Sequence, residues 1–379
     1  MSLTESELVR YSRHLALKEI GTSGQEKLKA ARVLVIGAGG LGSPSALYLA
    51  ASGVGTIGII DHDRVDVSNL QRQVLYESES VGEAKVDAAH RRLRSLNPEI
   101  AIEKHAIELR AANVLNIFAN YDLVLDGTDR FTTRYLANDA CVILGKPLVS
   151  AAIHRFEGQA MTYVPDRSPC YRCLFPEPPT DGLVPNCAEA GVLGVLPGVM
   201  GAIQATEAIK LIVGAGELLI GRLLAYDALG MRFSEFAFSR REDCAVCGSR
   251  PTIAAPRDLD EVCSTQDLAA VVRLSPAALN TSLRSASARP VIVDVREPQE
   301  FRVAHLPGAI NIPVRELSAR INEIASAGAV VFVCRSGARS LTASGIAHRS
   351  GIAAPRHLEG GLLAWAREVE PGFEVAPVV

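Results

Sequence analysis

The sequence predicts an α/β protein made of two successive sheet-and-helix domains, and three observations carry that expectation. At 379 residues the chain is longer than one ordinary core serves. Short β-branched runs alternate with helical stretches in both halves, the pattern of parallel strands joined by crossover helices. Between the halves, Arg250-Pro251-Thr252-Ile253-Ala254-Ala255-Pro256-Arg257 has two prolines and no periodicity, and reads as part of a linker. The expected boundaries are 1–250 for the first domain, 251–272 for the linker and 273–379 for the smaller second domain.

In the first domain, Arg32-Val33-Leu34-Val35-Ile36 is an apolar run ending in glycine and predicts a buried parallel strand. The turn Gly37-Ala38-Gly39-Gly40-Leu41-Gly42 follows, then a helix through Ser45-Ala46-Leu47-Tyr48-Leu49-Ala50. Thr56-Ile57-Gly58-Ile59-Ile60 predicts a second strand, ending at Asp61. Strand, glycine turn, helix and strand-terminal acid make one βαβ unit of Rossmann-like type. Leu123-Val124-Leu125-Asp126 and Pro147-Leu148-Val149-Ser150 predict further strands of the same mainly parallel sheet. The most apolar stretch, 191–216, contains Pro197, Gln204, Glu207 and Lys210. Those polar groups are costly in lipid, so the stretch reads as a core helix starting near Pro197. In the second domain the clearest strands are Val291-Ile292-Val293-Asp294-Val295 and Val330-Val331-Phe332-Val333, in a pattern that starts near Ser275.

Composition narrows the function classes. Apolar content of 48% with 21% charged residues fits a soluble globular protein. A net charge of −3 argues against a nucleic-acid partner held by phosphate neutralisation. Arg91-Arg92-Leu93-Arg94 interrupts a helical pattern and reads as a solvated face. Met1-Ser2-Leu3-Thr4-Glu5 shows no basic region leading into an apolar core, so a cytoplasmic protein without membrane partners is expected. Its eight cysteines then read as ligands, nucleophiles or buried thiols, not disulfides. Cys141, in an apolar run, reads as core, and Cys263 has no visible partner.

Gly37, Gly39 and Gly42 let the backbone turn tightly and approach phosphate at a helix N-terminus, with Gly40 between them. Asp61 stands where a carboxylate accepts ribose hydroxyls. Those features alone equally describe a nicotinamide-dependent oxidoreductase. Ser68-Asn69-Leu70-Gln71-Arg72-Gln73, Lys85 and Asp126-Gly127-Thr128-Asp129-Arg130 add an arginine, a lysine and an acid near the phosphate site. Such a collection suits ATP with Mg²⁺ and a pyrophosphate leaving group, whereas hydride transfer leaves it unexplained. For Lys85 taken singly, a surface ion pair is the alternative.

Arg10-Tyr11-Ser12-Arg13-His14, the glycine loop, Asp61, the 68–73 stretch, Lys85 and Asp129 together resemble the MoeB–ThiF family, relatives of ubiquitin-activating enzymes, over about residues 5–250. The resemblance implies adenylation of the C-terminal glycine carboxylate of a small ubiquitin-like protein, with release of pyrophosphate. It implies that Asp61 holds ribose, that Asn69, Arg72 and Lys85 hold phosphates, and that Asp129 binds Mg²⁺. It also implies a homodimer, with Arg13 reaching the phosphates from the partner subunit.

Cys170-Tyr171-Arg172-Cys173 and Cys244-Ala245-Val246-Cys247 share one spacing, and each pair can bite one metal. Four thiolates close a tetrahedral Zn²⁺ site with no open position, which makes a structural zinc the expectation over a redox dithiol or buried thiols. The resembled family carries such a site here, fastening the C-terminal arm to the adenylation core. Cys187 stands unpaired in Val184-Pro185-Asn186-Cys187-Ala188-Glu189. The family makes it a candidate for a covalent intermediate, and a free thiol without a role is the other reading.

In the second domain, Cys334-Arg335-Ser336-Gly337-Ala338-Arg339-Ser340 follows a buried strand and precedes a helix through Ser340-Leu341-Thr342-Ala343-Ser344. Loop amides, a helix N-terminus, Arg335 and Arg339 all favour an anion, so they lower the thiol pKa and stabilise a persulfide or a phosphate. Four residues separate Cys334 from Arg339, one fewer than in tyrosine-phosphatase loops, a tighter cradle suited to a sulfur adduct. The runs 293–298 and 305–313, Glu300-Phe301 and Glu359-Gly360-Gly361 with Trp365 resemble a rhodanese domain over about residues 273–379.

Together the halves resemble a MoeZ-type fusion of adenylyltransferase and sulfurtransferase. ATP is expected to activate a carrier ending in Gly-Gly, and a Cys334 persulfide, loaded by a donor such as a cysteine desulfurase, to deliver sulfur as a thiocarboxylate. Two alternatives are a non-catalytic carrier-binding adaptor and the same chemistry confined to the small subunit of molybdopterin synthase. Thiamine, cysteine and tRNA-thiolation carriers fit equally.

Overall fold

The computed structural model describes residues 2–178, 191–259, 271–284, 289–325 and 328–375. The described residues divide into two compact units, one of residues 2–178 with 191–258, the other running from 259 to 375. The linker expected to begin at 251 docks first on the earlier unit. Thr252 and Ile253 donate their N–H groups to Ala245 O at 2.8 Å, and Asp258 Oδ1 accepts the Ala111 N–H at 2.9 Å.

The first unit holds β1 (Arg32–Ile36), β2 (Thr56–Ile60), β3 (Ala101–His105), β4 (Leu123–Asp126), β5 (Leu148–His154), β6 (Glu157–Tyr163), β7 (Arg222–Asp227) and β8 (Arg232–Ala237). They form one sheet in the order β3-β2-β1-β4-β5-β6-β7-β8. The first five run parallel, and β6, β7 and β8 extend the sheet antiparallel. The parallel part is apolar on both faces because helices cover both. Along β1, Val33 and Val35 face one core with Leu49, Ile57 and Leu93, while Leu34 and Ile36 face the other with Phe118, Val124 and Leu136.

The apolar stretch forms the helix Leu196–Val213, which could cross a membrane by length and composition. Its polar groups are instead used inside the protein. Gln204 Nε2 donates to Asp126 O at 2.7 Å, and Glu207 accepts from Thr162 Oγ1 and the Leu219 N–H, both at 2.7 Å. It is a core helix, as its sequence predicts.

The second unit holds β9 (Val272–Leu274), β10 (Val291–Asp294), β11 (Ile310–Asn311), β12 (Val330–Val333) and β13 (Arg356–Leu358), all parallel, in the order β11-β10-β12-β13-β9. Alternation along β12 again divides two cores: Val330 and Phe332 share one with Cys334, and Val331 and Val333 share the other with Leu362 and Trp365. Cys334 is thereby carried on the C-terminal end of the central strand.

Candidate functional site

β1 and β4 are neighbours, but β1 leads on to β2 on one side while β4 leads to β5 on the other. A crevice opens beyond the C-terminal ends of such a strand pair, the usual ligand position in open α/β sheets. The glycine loop leaves β1 there and the 127–130 loop leaves β4, joined by the Gly127 N–H donating to Ile36 O at 2.9 Å. Gly37 has φ +81°, and a Cβ on Gly42 would lie 1.8 Å from Gly37 O, so side chains at both positions would open the turn. The helix Gly42–Ala51 starts at the turn and aims its N-terminus at the crevice.

Asp61 ties the loop to the end of β2: its carboxylate accepts the Ala38 N–H at 2.9 Å and the Asp63 N–H at 2.8 Å. Lys85 begins the helix Lys85–Leu96, with Nζ 2.9 Å from Asp63 Oδ2 and 3.8 Å from Asp61 Oδ2. Lys85 does form the ion pair that its alternative reading expects, but with only 7% of its own side chain exposed against 56% for Asp63. Burial raises the Asp63 pKa, but the hydrogen bond and charge of Lys85 outweigh it and hold the carboxyl below its usual range.

Ser68 and Asn69 lie in the tight turn Val67–Asn69, where Asp66 accepts the Ser68 N–H at 2.8 Å. Arg72 Nη1 donates to Ser68 O at 3.1 Å, and a Cβ on Gly40 would lie 3.7 Å from Arg72 Cδ, which puts its stem beside the glycine loop. Leu70 packs on the core, and Gln71 lies against Gly194, where a Cβ would meet Gln71 Oε1 at 2.3 Å. Asp129 is exposed on the neighbouring loop, and exposed Arg130 donates to Glu108 Oε1 at 3.0 Å. Arg13 is exposed on the helix Ser12–Leu15. The structure therefore gathers the glycine loop, Asp61, Lys85 and Arg72 at one end of the sheet.

Three residues that sequence reasoning gave no role complete this end: Asp63, Tyr76, whose hydroxyl donates to Ala38 O at 2.7 Å, and Gln73. Gln73 is 4% exposed, its Oε1 has no partner, and its Nε2 would lie 3.7 Å from a Cβ on Gly39. An orphaned amide beside a phosphate-type loop is what a site built for a polar ligand leaves in its absence.

The two cysteine pairs converge. Cys170 Sγ is 3.6 Å from Cys244 Sγ, Cys173 Sγ is 3.4 Å from Cys247 Sγ, and all four sulfurs lie within 4.8 Å of one another. Hydrogen bonding from Cys170 draws Cys173 down to about 6, while hydrogen bonding with Cys173 drives Cys170 up, because four adjacent sulfurs cannot all ionise without a cation. An all-sulfur donor set fits one tetrahedral metal ion. Arg172, between Cys170 and Cys173, reaches Asp139 through Nε at 2.7 Å and Nη2 at 2.8 Å, a buried pair that orients the turn carrying both sulfurs.

In the second unit Cys334 is 1% exposed, and its sulfur accepts the Gly337 N–H at 3.2 Å and the Ser340 N–H at 3.3 Å. The helix Ala338–Arg349 begins at this loop. Arg335 is half-buried and Ser336 exposed at the mouth. The cradle is braced from behind: the N–H groups of Leu362 and Leu363 reach Cys334 O at 2.8 Å and Arg335 O at 3.0 Å. A Cβ on Gly361 would lie 2.5 Å from both carbonyl oxygens, so only glycine fits the brace. Arg339, expected as an anion ligand, is clamped by Glu300, with Nη1–Oε2 at 2.7 Å and Nη2–Oε1 at 2.9 Å. Glu300 stood inside the rhodanese-like motif, but only the fold reveals its partner. Cys187 and Cys263 lie outside the described residues.

Comparison with known proteins decides what these sites belong to. The ThiF family matches residues 11–246, and the rhodanese-like domain matches residues 275–368. The chain belongs to the ThiF family. It is similar to the adenylyltransferase and sulfurtransferase MOCS3 of Aedes aegypti, 43% identical over 98% of this chain and 90% of that one. It is also similar to the sulfur carrier protein adenylyltransferase of Thermus thermophilus, 51% identical over 69% of this chain and 99% of that one. Among solved structures, E. coli MccB crystallised with ATP is 26% identical with a TM-score of 0.55, covering 63% of this chain and 74% of that one. The ThiF assignment removes the nicotinamide alternative and accounts for the charges around the glycine loop. The resemblance to a fused adenylation and rhodanese protein holds along nearly the whole chain.

Proposed function

We propose that this ThiF-family protein adenylates the C-terminal glycine of a ubiquitin-like sulfur-carrier protein with ATP and then converts it to a thiocarboxylate. One observation carries the reading: the same chain holds a glycine loop at the switch point of one sheet and a thiol cradled by backbone N–H groups at the end of another. The first arrangement suits phosphoryl oxygens and the second a sulfur anion.

In the first step the carrier's terminal carboxylate attacks the α-phosphorus of ATP, and pyrophosphate leaves. Gly37, Gly39, Gly40 and Gly42 give the loop its close approach to phosphate. Asp61 has lone pairs left for ribose hydroxyls, and Lys85, Asn69 and Arg72 meet charge developing on the phosphates. Ser68, Leu70, Gln71 and Arg130 shape the rim. Asp129 is the carboxylate for Mg²⁺, an ion that takes one or two carboxylates alongside phosphate oxygens and water. Arg13 acts from the partner subunit of a homodimer. Zn²⁺ in the four-cysteine set is structural, since its shell has no position for substrate.

Adenylation supplies the leaving group that a bare carboxylate lacks. A persulfide on Cys334, loaded by a cysteine desulfurase or similar donor, attacks the acyl carbon and displaces AMP. This leaves an acyl disulfide between carrier and Cys334. Attack by the Cys187 thiolate on the Cys334 sulfur frees the thiocarboxylate and leaves a Cys187–Cys334 disulfide, which a dithiol reductant reopens. The reactions belong to a cytoplasmic protein, whose reducing environment supplies that dithiol.

The test is ATP–pyrophosphate exchange with a panel of purified carriers ending in Gly-Gly. Exchange stimulated by one carrier is expected and names the partner. Absence of exchange with every carrier, from metal-replete protein, would overturn the adenylation reading.

A further inference from the structure

The cradle around Cys334 has a buried neighbour that the steps above leave unused. His357 stands on β13, 4% exposed, and its Nε2 is buried without a hydrogen-bond partner. Its Nδ1 lies 3.4 Å from Ser340 Oγ. That hydroxyl, in the first turn of the helix Ala338–Arg349, is 3.5 Å from Cys334 Sγ and 3.0 Å from Gly337 O. Sulfur, hydroxyl and imidazole thus form one continuous buried line.

We infer that His357 is a positioning residue for Cys334: as a neutral imidazole protonated on Nδ1, it donates to Ser340 and directs that hydroxyl's proton onto the ionised sulfur. The tautomer matters because an unprotonated Nδ1 would compete with the sulfur for the Ser340 proton. With the thiol protonated, S–H donates to Ser340 Oγ and the hydroxyl donates to Gly337 O. On ionisation the thiol proton leaves to solvent and the hydroxyl turns from Gly337 O to the sulfur. The anion then has three donors: the Gly337 and Ser340 N–H groups and the Ser340 hydroxyl. Each donor favours the charged form, and donors in series strengthen one another.

Burial, more than charge, favours the neutral imidazole. Burial lowers the His357 pKa most, Arg273 on β9 lowers it further, and Glu359 opposes them. Beside Cys334 in sequence or register lie Arg335, Arg339 with its partner Glu300, and Asp294, which ends β10 opposite Val333 and pairs with Arg296 beyond the strand. The inference rests on the reading of Cys334 as the sulfur-bearing residue. Its test reads thiol acidity, which can be measured whether or not sulfur transfer occurs.

The experiment is the pH dependence of Cys334 alkylation by iodoacetamide in the full chain, followed by mass spectrometry of its peptide. In His357→Leu the midpoint should rise by about one pH unit, the scale of one lost hydrogen bond to an anion. Ser340→Ala should match it, and the double variant should go no further. His357→Gln, whose amide can donate to Ser340, should move the midpoint back. A native midpoint in His357→Leu, or shifts that add in the double variant, would overturn the inference. Should the leucine variant fail to fold, ¹⁵N NMR of the native chain decides: an Nδ1–H tautomer supports the relay and an Nε2–H tautomer overturns it.

Discussion

The two anion-handling ends are built alike and differ in how tightly their cations are held. In each, a central parallel strand runs into a tight turn and then a helix N-terminus: β1 into Gly42–Ala51, and β12 into Ala338–Arg349. In each, a cation with little side-chain exposure is paired with a carboxylate. The partner of Lys85 is Asp63, whose side chain is 56% exposed; the partner of Arg339 is Glu300, at 2%. An exposed acid is easily rehydrated, which under the proposed function would free Lys85 for an incoming phosphate. A buried acid cannot be given up, so Arg339 is a brace and the sulfur relies on the donors of its own loop and helix start. On the proposed function, similar ion pairs would thus serve binding in one unit and rigidity in the other.

The largest expected effect separates the two ends outright. Cys334→Ala should abolish thiocarboxylate formation on the carrier, read by mass spectrometry, and leave ATP–pyrophosphate exchange at its native rate. Loss of exchange as well would mean that the two chemistries are not separable. The metal set comes next. Structural zinc contributes on the order of 10 kcal/mol to small domains that fold around it. Cys244→Ser or prolonged chelation should therefore lower the thermal midpoint of the first unit and abolish exchange. The second unit carries the chain's single tryptophan, Trp365, so its fluorescence transition should not move.

Smaller effects test the contrast between the two cations. Lys85→Gln should lower carrier-dependent exchange about 10²–10³-fold, the usual cost of removing one donor from a developing charge. Its Trp365 transition should stay at the native temperature. Glu300→Ala should do the reverse, leaving exchange intact and destabilising the second unit by roughly 3 kcal/mol. That is the low end for a broken buried pair, because Arg339 keeps 12% of its side-chain exposure. In a unit of this size the Trp365 midpoint would fall by roughly 10–20 °C. Equal behaviour of Lys85→Gln and Glu300→Ala in both assays would erase the distinction drawn between the pairs.

The parts legible in the sequence were those that obey a local rule. β1, β2, β4, β10 and β12 are short apolar runs closed by turn residues, and each forms where its pattern predicts a strand. The Cys-x-x-Cys pairs announced themselves because spacing alone fixes a bite. The antiparallel extension β6–β8 was not foreseen: β8 is exposed along its whole length, so its sequence carries no apolar run to reveal it. The roles of Asp63 and His357, and the partner of Glu300, escaped for another reason. Each acts through a residue distant in sequence, 22 positions for Asp63 and Lys85, 39 for Glu300 and Arg339, and 17 for His357 and Ser340. No window of sequence shows such a partner; only the crossing of strands and helices brings it near.

Acid gives the mildest test and resolves the sulfur cradle by group. His357 has its pKa lowered below 6.5, chiefly by burial, so the unfolded chain takes up a proton there before the folded one does. Its contribution to stability is complete above about 6.5 and declines as pH falls below it. At Glu300 burial raises the pKa, but the hydrogen bond and charge of Arg339 prevail and hold it below 4.5. That contribution is complete above about 4.5 and is lost as pH falls through the folded-state value. The Trp365 midpoint should therefore decline gently from pH 6.5 and more steeply below 4.5, with little dependence on salt because both groups are buried. Glu300→Gln should remove the steep part alone, and His357→Gln the gentle part alone. Asp63 is also held low by its lysine, but its exposure makes the acid response of the first unit salt-sensitive. A steep phase that persists in Glu300→Gln would assign the acid sensitivity to another carboxylate and leave Arg339 without its brace.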